Sequence, residues 1–115
     1  MSDPKFTSPV QRIAYLNDLA RTAMGVAGKL NQTPGVNALP PEDQSRIREL
    51  VETYSDFKPG NDPYGERDFG TIHHNGNKIY WKIDYYDKAL EMGSEHPEDP
   101  AQTTRVLTIM LAEEY

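Results

Sequence analysis

The dipeptide Asn75-Gly76 constrains the fold most, because it lies between two segments in which apolar residues alternate. Both central positions of the tightest hairpin turn need a positive φ, which Asn and Gly tolerate better than other residues. The surrounding stretch, DFGTIHHNGNKIYWKIDYYD (residues 68–87), therefore predicts a β-hairpin. Successive strand residues point to opposite faces. One face of the second strand then carries Ile79, Trp81, Ile83 and Tyr85, and the other carries Lys78, Tyr80, Lys82, Asp84 and Tyr86.

The sequence before the hairpin shows the apolar spacing of two helices. The first is predicted over residues 8–25, with Ser8 as its N-cap and proline in the first helical position. The second is predicted over residues 41–57, with an apolar stripe on one side. A short strand is predicted at residues 29–33, and residues 58–70 read as a polar loop rich in Gly and Pro.

The C-terminal segment RVLTIML is apolar on both faces of an extended chain, which indicates a central strand. A helical turn is predicted just before it, at residues 100–103. A helix is the competing interpretation, because Asp99-Pro100-x-Gln102 resembles a capping box. We therefore predict a single α+β domain over residues 1–115, with an antiparallel sheet of three to four strands packed against two helices. Trp81, Phe69 and Tyr85 are predicted core residues, and residues 1–8 a flexible tail.

The net charge of −6 is uneven, since acidic and basic residues balance over residues 1–60 and the whole excess lies in residues 61–115. Such a chain is suited to a basic protein surface and unsuited to direct binding of nucleic acid or anionic lipid. The absence of cysteine excludes disulfides and thiolate metal sites and fits a cytoplasmic location. The first residues lack the apolar core of a signal peptide, and no apolar run is long enough to span a membrane.

Two groups of residues are candidates for chemistry. His73 and His74 are adjacent, so a strand would point them to opposite faces and away from a shared metal ion. The carboxylates of Asp68, Asp84 and Asp87 would suit Mg²⁺ if the hairpin brought them together, and a magnesium-assisted phosphoester hydrolase is therefore one alternative. Local bonding of these carboxylates to strand and loop neighbours is the other. Without a convergent catalytic set, we predict no enzyme activity, no cofactor and no metal.

Three long segments, NDPYGERDFG, IYWKIDYYD and RVLTIMLAEEY, follow the segments RIAYLNDLAR and TPGVNAL. In order and spacing they resemble a small bacterial family of unknown function, over roughly residues 10–115. Members of that family often occur on plasmids and other mobile elements, and they usually have histidine where this chain has Arg67. The resemblance implies no reaction. It does imply a mobile-element setting, in which small acidic proteins frequently inhibit host defence complexes.

The sequence thus favours a non-enzymatic acidic binding protein that inhibits a host defence complex, as anti-CRISPR or anti-restriction proteins do, by occupying its basic nucleic-acid-binding surface. A plasmid maintenance or antitoxin-like protein is a further alternative. The predicted partner-binding residues are six acids and two tyrosines of the sheet and the following loop: Asp84, Asp87, Glu91, Glu95, Glu98, Asp99, Tyr80 and Tyr86. The alternative for Tyr80 and Tyr86 is structural, with residues 87–100 covering their face.

Overall fold

The computed structural model describes residues 8–115, so all but the last residue of the predicted flexible tail lies outside the described residues. Residues 8–115 form three α-helices, four strands and a 3₁₀ turn after the last strand. In chain order they are α1 (Pro9–Thr22), β1 (Lys29–Gln32), α2 (Pro34–Asn37), α3 (Pro41–Glu52), β2 (Phe69–His74), β3 (Asn77–Tyr86), β4 (Thr104–Leu111) and the turn Ala112–Glu114. The predicted α+β class is confirmed, with α2 as a short additional helix.

The four strands form one mixed sheet in the order β1-β4-β3-β2. β3 pairs antiparallel with both β2 and β4, whereas β1 pairs parallel with β4. β2 and β3 are joined at Asn75 and Gly76, whose φ angles of 48° and 79° are those of the predicted turn. Because β4 lies between β1 and β3, the C-terminal segment forms a central strand, as predicted. The competing prediction of a helix for this segment is wrong.

The hydrophobic core lies between the helices and one face of the sheet. Trp81 is fully buried there, as predicted, and Ile47 and Val51 of α3 are buried with it. The rings of Tyr54 and Phe57 meet Trp81 edge-on, with centroid distances of 5.3 and 6.1 Å. Tyr85 also lies on this face, half-buried against the same cluster.

The second of the two predicted helices is α3, which ends at Glu52. The prediction that it continues to residue 57 was wrong. Arg21 of α1 explains the early end, because its Nη1 donates to the carbonyl oxygens of Val51, Glu52 and Tyr54 at 3.1, 2.8 and 3.0 Å. A cation from another helix thus satisfies carbonyls that have no partner within α3. The first helix ends slightly early as well, at Thr22.

Two further predictions need correction. Phe69 does not belong to the core, because it lies opposite Lys82 in the register and so faces away from the helices. Its ring instead contacts Tyr80 and Tyr115. The segment before β4 forms a hydrogen-bonded turn in place of the predicted helical turn, with the N–H of Gln102 donating to the carbonyl of Asp99.

Candidate protein-binding site

The sheet face that points away from the helices carries a mixed aromatic and charged surface. Tyr80, Lys82, Asp84 and Tyr86 lie on it, each partly exposed, as the alternation predicted. Lys82 Nζ lies 2.9 Å from Asp84 Oδ2, and this hydrogen bond raises the pKa of Lys82. Asp84 is therefore already balanced by a cation on its own strand, two residues away.

Tyr80 is enclosed by neighbours from other parts of the chain. Its ring centroid lies 5.2 Å from that of Phe69 and 5.5 Å from that of Tyr115, and Lys78 Nζ lies 5.5 Å from the same centroid. The ring contacts of Tyr80 are therefore made by Phe69 and Tyr115, and not by residues 87–100. Tyr86 is the tyrosine that adjoins residues 87–100, because its backbone forms a bridge with Gly93.

Residues 87–99, here called the acidic loop, reverse the chain immediately after β3. The N–H of Asp87 donates to the carbonyl of Met92 at 2.9 Å, and the N–H of Ser94 donates to the carbonyl of Tyr85 at 3.0 Å. Asp87 Oδ1 accepts the N–H of Glu91 at 3.0 Å, which closes the reversal from inside. These bonds give the first half of the acidic loop a defined conformation.

Apolar and acidic side chains alternate at the tip of the acidic loop. Met92 is 71% exposed and Leu90 is 46% exposed. Glu91 and Glu95 are also exposed, and neither side chain makes a hydrogen bond or an ion pair with any residue between Ser8 and Tyr115. Leu90 adopts a φ of 59°, a left-handed conformation that is costly for a bulky residue. The tip is thus an ordered, locally strained and solvent-exposed element.

The remaining acids of the prediction have local partners. The oxygens of Asp99 accept the N–H of Ala101 at 2.9 Å and the amide of Gln102 at 2.7 Å, and the Gln102 bond is the main reason that the pKa of Asp99 is lowered. Glu98 lies 3.5 Å from the ring of His96. The acidic loop therefore brings five of the six predicted acids onto one segment, where Glu91 and Glu95 are the ones displayed without an internal partner.

The alternative magnesium site does not form. Among residues 8–115 there is no group of three or more His, Asp or Glu side chains placed to hold a metal ion. The carbonyl of Asp68 accepts the N–H of Ile83, so Asp68 lies opposite Ile83 in the register. Asp84 is the next residue along the strand, and its side chain therefore points to the other face of the sheet from that of Asp68. The two adjacent histidines diverge as predicted: His74 Nε2 lies 2.8 Å from Asp43 Oδ1, while His73 is exposed.

Comparison with known proteins places the chain in a family without an assigned activity. Residues 32–114 match the family model described as Protein of unknown function (DUF3768). The chain belongs to this family. Neither the curated proteins nor the solved structures gave a match. The DUF3768 match begins at the last residue of β1 and includes β2 to β4 and the whole acidic loop, whereas α1 and the rest of β1 precede it. None of the helices between Ser8 and Tyr115 has the length and apolar character needed to span a bilayer.

A buried polar network inside this DUF3768 protein was missed by the sequence analysis. Asn17 of α1 is fully buried; its Nδ2 donates to the Tyr85 hydroxyl at 2.7 Å and to the Glu66 carbonyl at 2.9 Å, and its Oδ1 accepts from Arg105 Nε at 2.7 Å. The Tyr85 hydroxyl donates in turn to Glu66 Oε1, and burial raises the pKa of Tyr85 strongly. Helical spacing could have identified Asn17 as a residue of the buried face, because it lies four residues after Ile13, which is also buried.

Proposed function

We propose that this DUF3768 protein is a non-enzymatic binding protein whose acidic loop docks on a basic surface of a protein partner. The observation that carries the proposal is the exposure of Met92 between Glu91 and Glu95 on an ordered loop. Exposed methionine adapts to irregular apolar surfaces, and a preordered loop loses little conformational entropy on binding. Apolar anchors surrounded by charged groups are typical of protein–protein interfaces.

Charge indicates the kind of partner. The acidic loop contains five acids and one lysine, so its formal charge is −4. Association with a lysine- and arginine-rich surface would be accelerated by this charge and weakened by salt. Tyr86 and Asp84, at the adjoining end of the open sheet face, extend the same surface, and Tyr80 lies farther along it.

The partner class that best matches this charge is a protein complex that binds nucleic acid, because its channel must present many cations to phosphates. In this proposal the partner is a host defence effector, and the protein of a mobile element inhibits it in the manner of a DNA mimic, as anti-CRISPR or anti-restriction proteins do. Support for this finer assignment comes from the acidity of the loop and from the resemblance described above.

The experiment is affinity capture from a host lysate at low and at high salt, with mass spectrometry of the retained proteins. Wild type is compared with a Glu91→Lys/Glu95→Lys double variant. The matched control is Glu52→Lys/Glu113→Lys, which makes the same charge change at two exposed glutamates outside the acidic loop.

The proposal predicts a complex that wild type and the control retain at low salt, that high salt releases, and that the loop variant fails to retain. Equal retention by the loop variant would exclude the acidic loop as the docking element. Retention of nothing at either salt would count against a protein partner of any kind in that host.

A further inference from the structure

All sulfur in this chain belongs to methionine, because the sequence contains four methionines and no cysteine. Three of the methionines lie within residues 8–115, and their exposure differs widely. Met110 on β4 is 3% exposed, Met24 packs against the hydrophobic core, and Met92 at the tip of the acidic loop is 71% exposed. Of these three thioethers, that of Met92 is the one open to a dissolved reagent.

The backbone around Met92 is held in place by β3 and by the acidic loop itself. The Met92 carbonyl accepts the N–H of Asp87 at 2.9 Å, and the next residue, Gly93, forms a bridge with Tyr86. The acidic loop cannot fold over its own thioether without breaking these contacts. The exposure of Met92 is therefore a property of the ordered loop.

We propose that Met92 is a reversible oxidation site and that its sulfoxide switches off docking of the acidic loop, a second part that rests on the proposed function. The oxidant is a hydroperoxide. The sulfur lone pair forms an S–O bond with one peroxide oxygen, the O–O bond breaks, and the other oxygen leaves as water or an alcohol with the proton of the first. The thioether loses two electrons and the peroxide gains them. Thiol-dependent methionine sulfoxide reductases reverse the reaction.

Oxidation changes the side chain on which docking depends. A thioether is apolar and adapts to irregular surfaces, whereas a sulfoxide carries a polar oxygen that hydrogen-bonds to water. Burying that oxygen against an apolar part of the partner costs free energy unless a new hydrogen bond forms. Glu91 and Glu95 keep their charges in both states. Oxidation should therefore weaken binding at every salt concentration without removing its salt dependence.

The first test needs no partner. Folded protein is treated with limiting hydrogen peroxide and digested with trypsin, which places Met24, Met92 and Met110 on three different peptides. The Met92 peptide should gain an oxygen on the order of tenfold or more faster than the Met110 peptide, because a buried thioether reacts only when the strand opens. In urea-unfolded protein the two rates should converge. Equal rates in the folded protein would overturn the proposed site.

The second test repeats the low-salt affinity capture with oxidised protein. Oxidised wild type should hold the complex roughly tenfold more weakly, as expected when one buried apolar side chain is lost from an interface. Reduction by methionine sulfoxide reductase should restore capture. Met92→Leu has no sulfur at this position, so peroxide should not change what this variant retains. Met24→Leu is the matched control and should stay as sensitive to peroxide as wild type.

The outcomes separate the switch from the docking function. Equal capture before and after oxidation of Met92 would overturn the switch and leave the docking function standing. If untreated wild type captured nothing, the docking function would fail and the switch with it, while the peptide analysis would still decide whether Met92 is the reactive thioether. A lower melting temperature of the oxidised protein would show damage to the fold and would contradict a local switch.

Discussion

Arg105 Nε and Asn17 Oδ1 are joined by a 2.7 Å hydrogen bond, although 88 positions separate the two residues in the chain. The same Asn17 amide also binds Tyr85 and the backbone of Glu66, so one buried side chain connects α1, β3, β4 and the loop before β2. Hydrogen bonds require defined directions, whereas apolar packing tolerates small rotations. The network therefore fixes how α1 sits on the sheet.

Replacing Asn17 with alanine should destabilise the protein by about 2–4 kcal/mol, because the change removes the acceptor of Arg105 Nε and one of the two hydrogen bonds of the Tyr85 hydroxyl in a buried network. Urea unfolding measures the free energy of unfolding. Asn31→Ala, at an exposed position of β1, is the matched control and should change it by less than about 0.5 kcal/mol. A similar small change for Asn17→Ala would show that the network contributes little to stability.

Gly70 lies directly against Trp81, and substitution by alanine should be destabilising. A Cβ at this position would lie 2.4 Å from Trp81 Nε1 and 2.7 Å from Tyr54 Cζ, closer than atoms in contact allow. Both rings belong to the core or its edge, so relief requires repacking at a cost of about 1–3 kcal/mol or more. Thermal unfolding is the measurement. Gly60→Ala, where no atom of residues 8–115 lies within 4 Å of the new Cβ, should be tolerated, and equal effects at both positions would refute the argument.

The pKa of Asp68 is raised, mainly by desolvation and next by the nearby Glu66. A carboxyl with a raised pKa in the folded state favours folding when protonated, so this contribution is present at low pH and is lost as the pH rises through the folded-state pKa. At neutral pH the ionised group opposes folding.

Asp68→Asn should therefore stabilise the protein at pH 7, by about 1 kcal/mol or less because the group is partly solvent-screened. The difference from wild type should shrink as the pH falls below the pKa of Asp68. Unfolding measured from pH 7 down to acid conditions checks this, and an advantage that grows toward low pH would contradict it.

Leu90 has a left-handed backbone conformation, so we expect glycine to be more stabilising than alanine at this position of the acidic loop. Glycine adopts a φ of 59° without the steric cost that any Cβ brings, so Leu90→Gly should be more stable than Leu90→Ala by about 1 kcal/mol. Thermal unfolding of the two variants gives the comparison. If Leu90→Ala were the more stable variant, as alanine is at most other positions, the left-handed conformation would not be maintained in solution.

The sequence predicted those parts of the fold that depend on local pattern. Period-two alternation identified the hairpin and the core position of Trp81, and continuous apolarity identified β4 as central. The parallel pairing of β1 with β4 was not predicted, because four residues of β1 contain no information about a partner more than seventy positions away. The end of α3 was missed for the same reason, since the group that caps it belongs to α1.

The candidate site was predicted less completely than the fold. Composition located the acids of residues 87–99, but it could not separate Asp87 and Asp99, which hold turns together, from Glu91 and Glu95, which face solvent. That division depends on the backbone path of the acidic loop. Phe69 was misplaced because its size suggests the core, whereas only the register shows which face it occupies.

The position of β4 has a consequence for how this protein is made. β4 connects β1 to the hairpin of β2 and β3, and it is the last of these four strands to be synthesised. β1 therefore has no strand partner until β4 has been made. During translation, the hairpin of β2 and β3 can close on its own, but the edges that β4 will cover stay open until Leu111 has left the ribosome exit tunnel. Until β4 has emerged, the nascent chain therefore exposes open sheet edges that can pair with other chains.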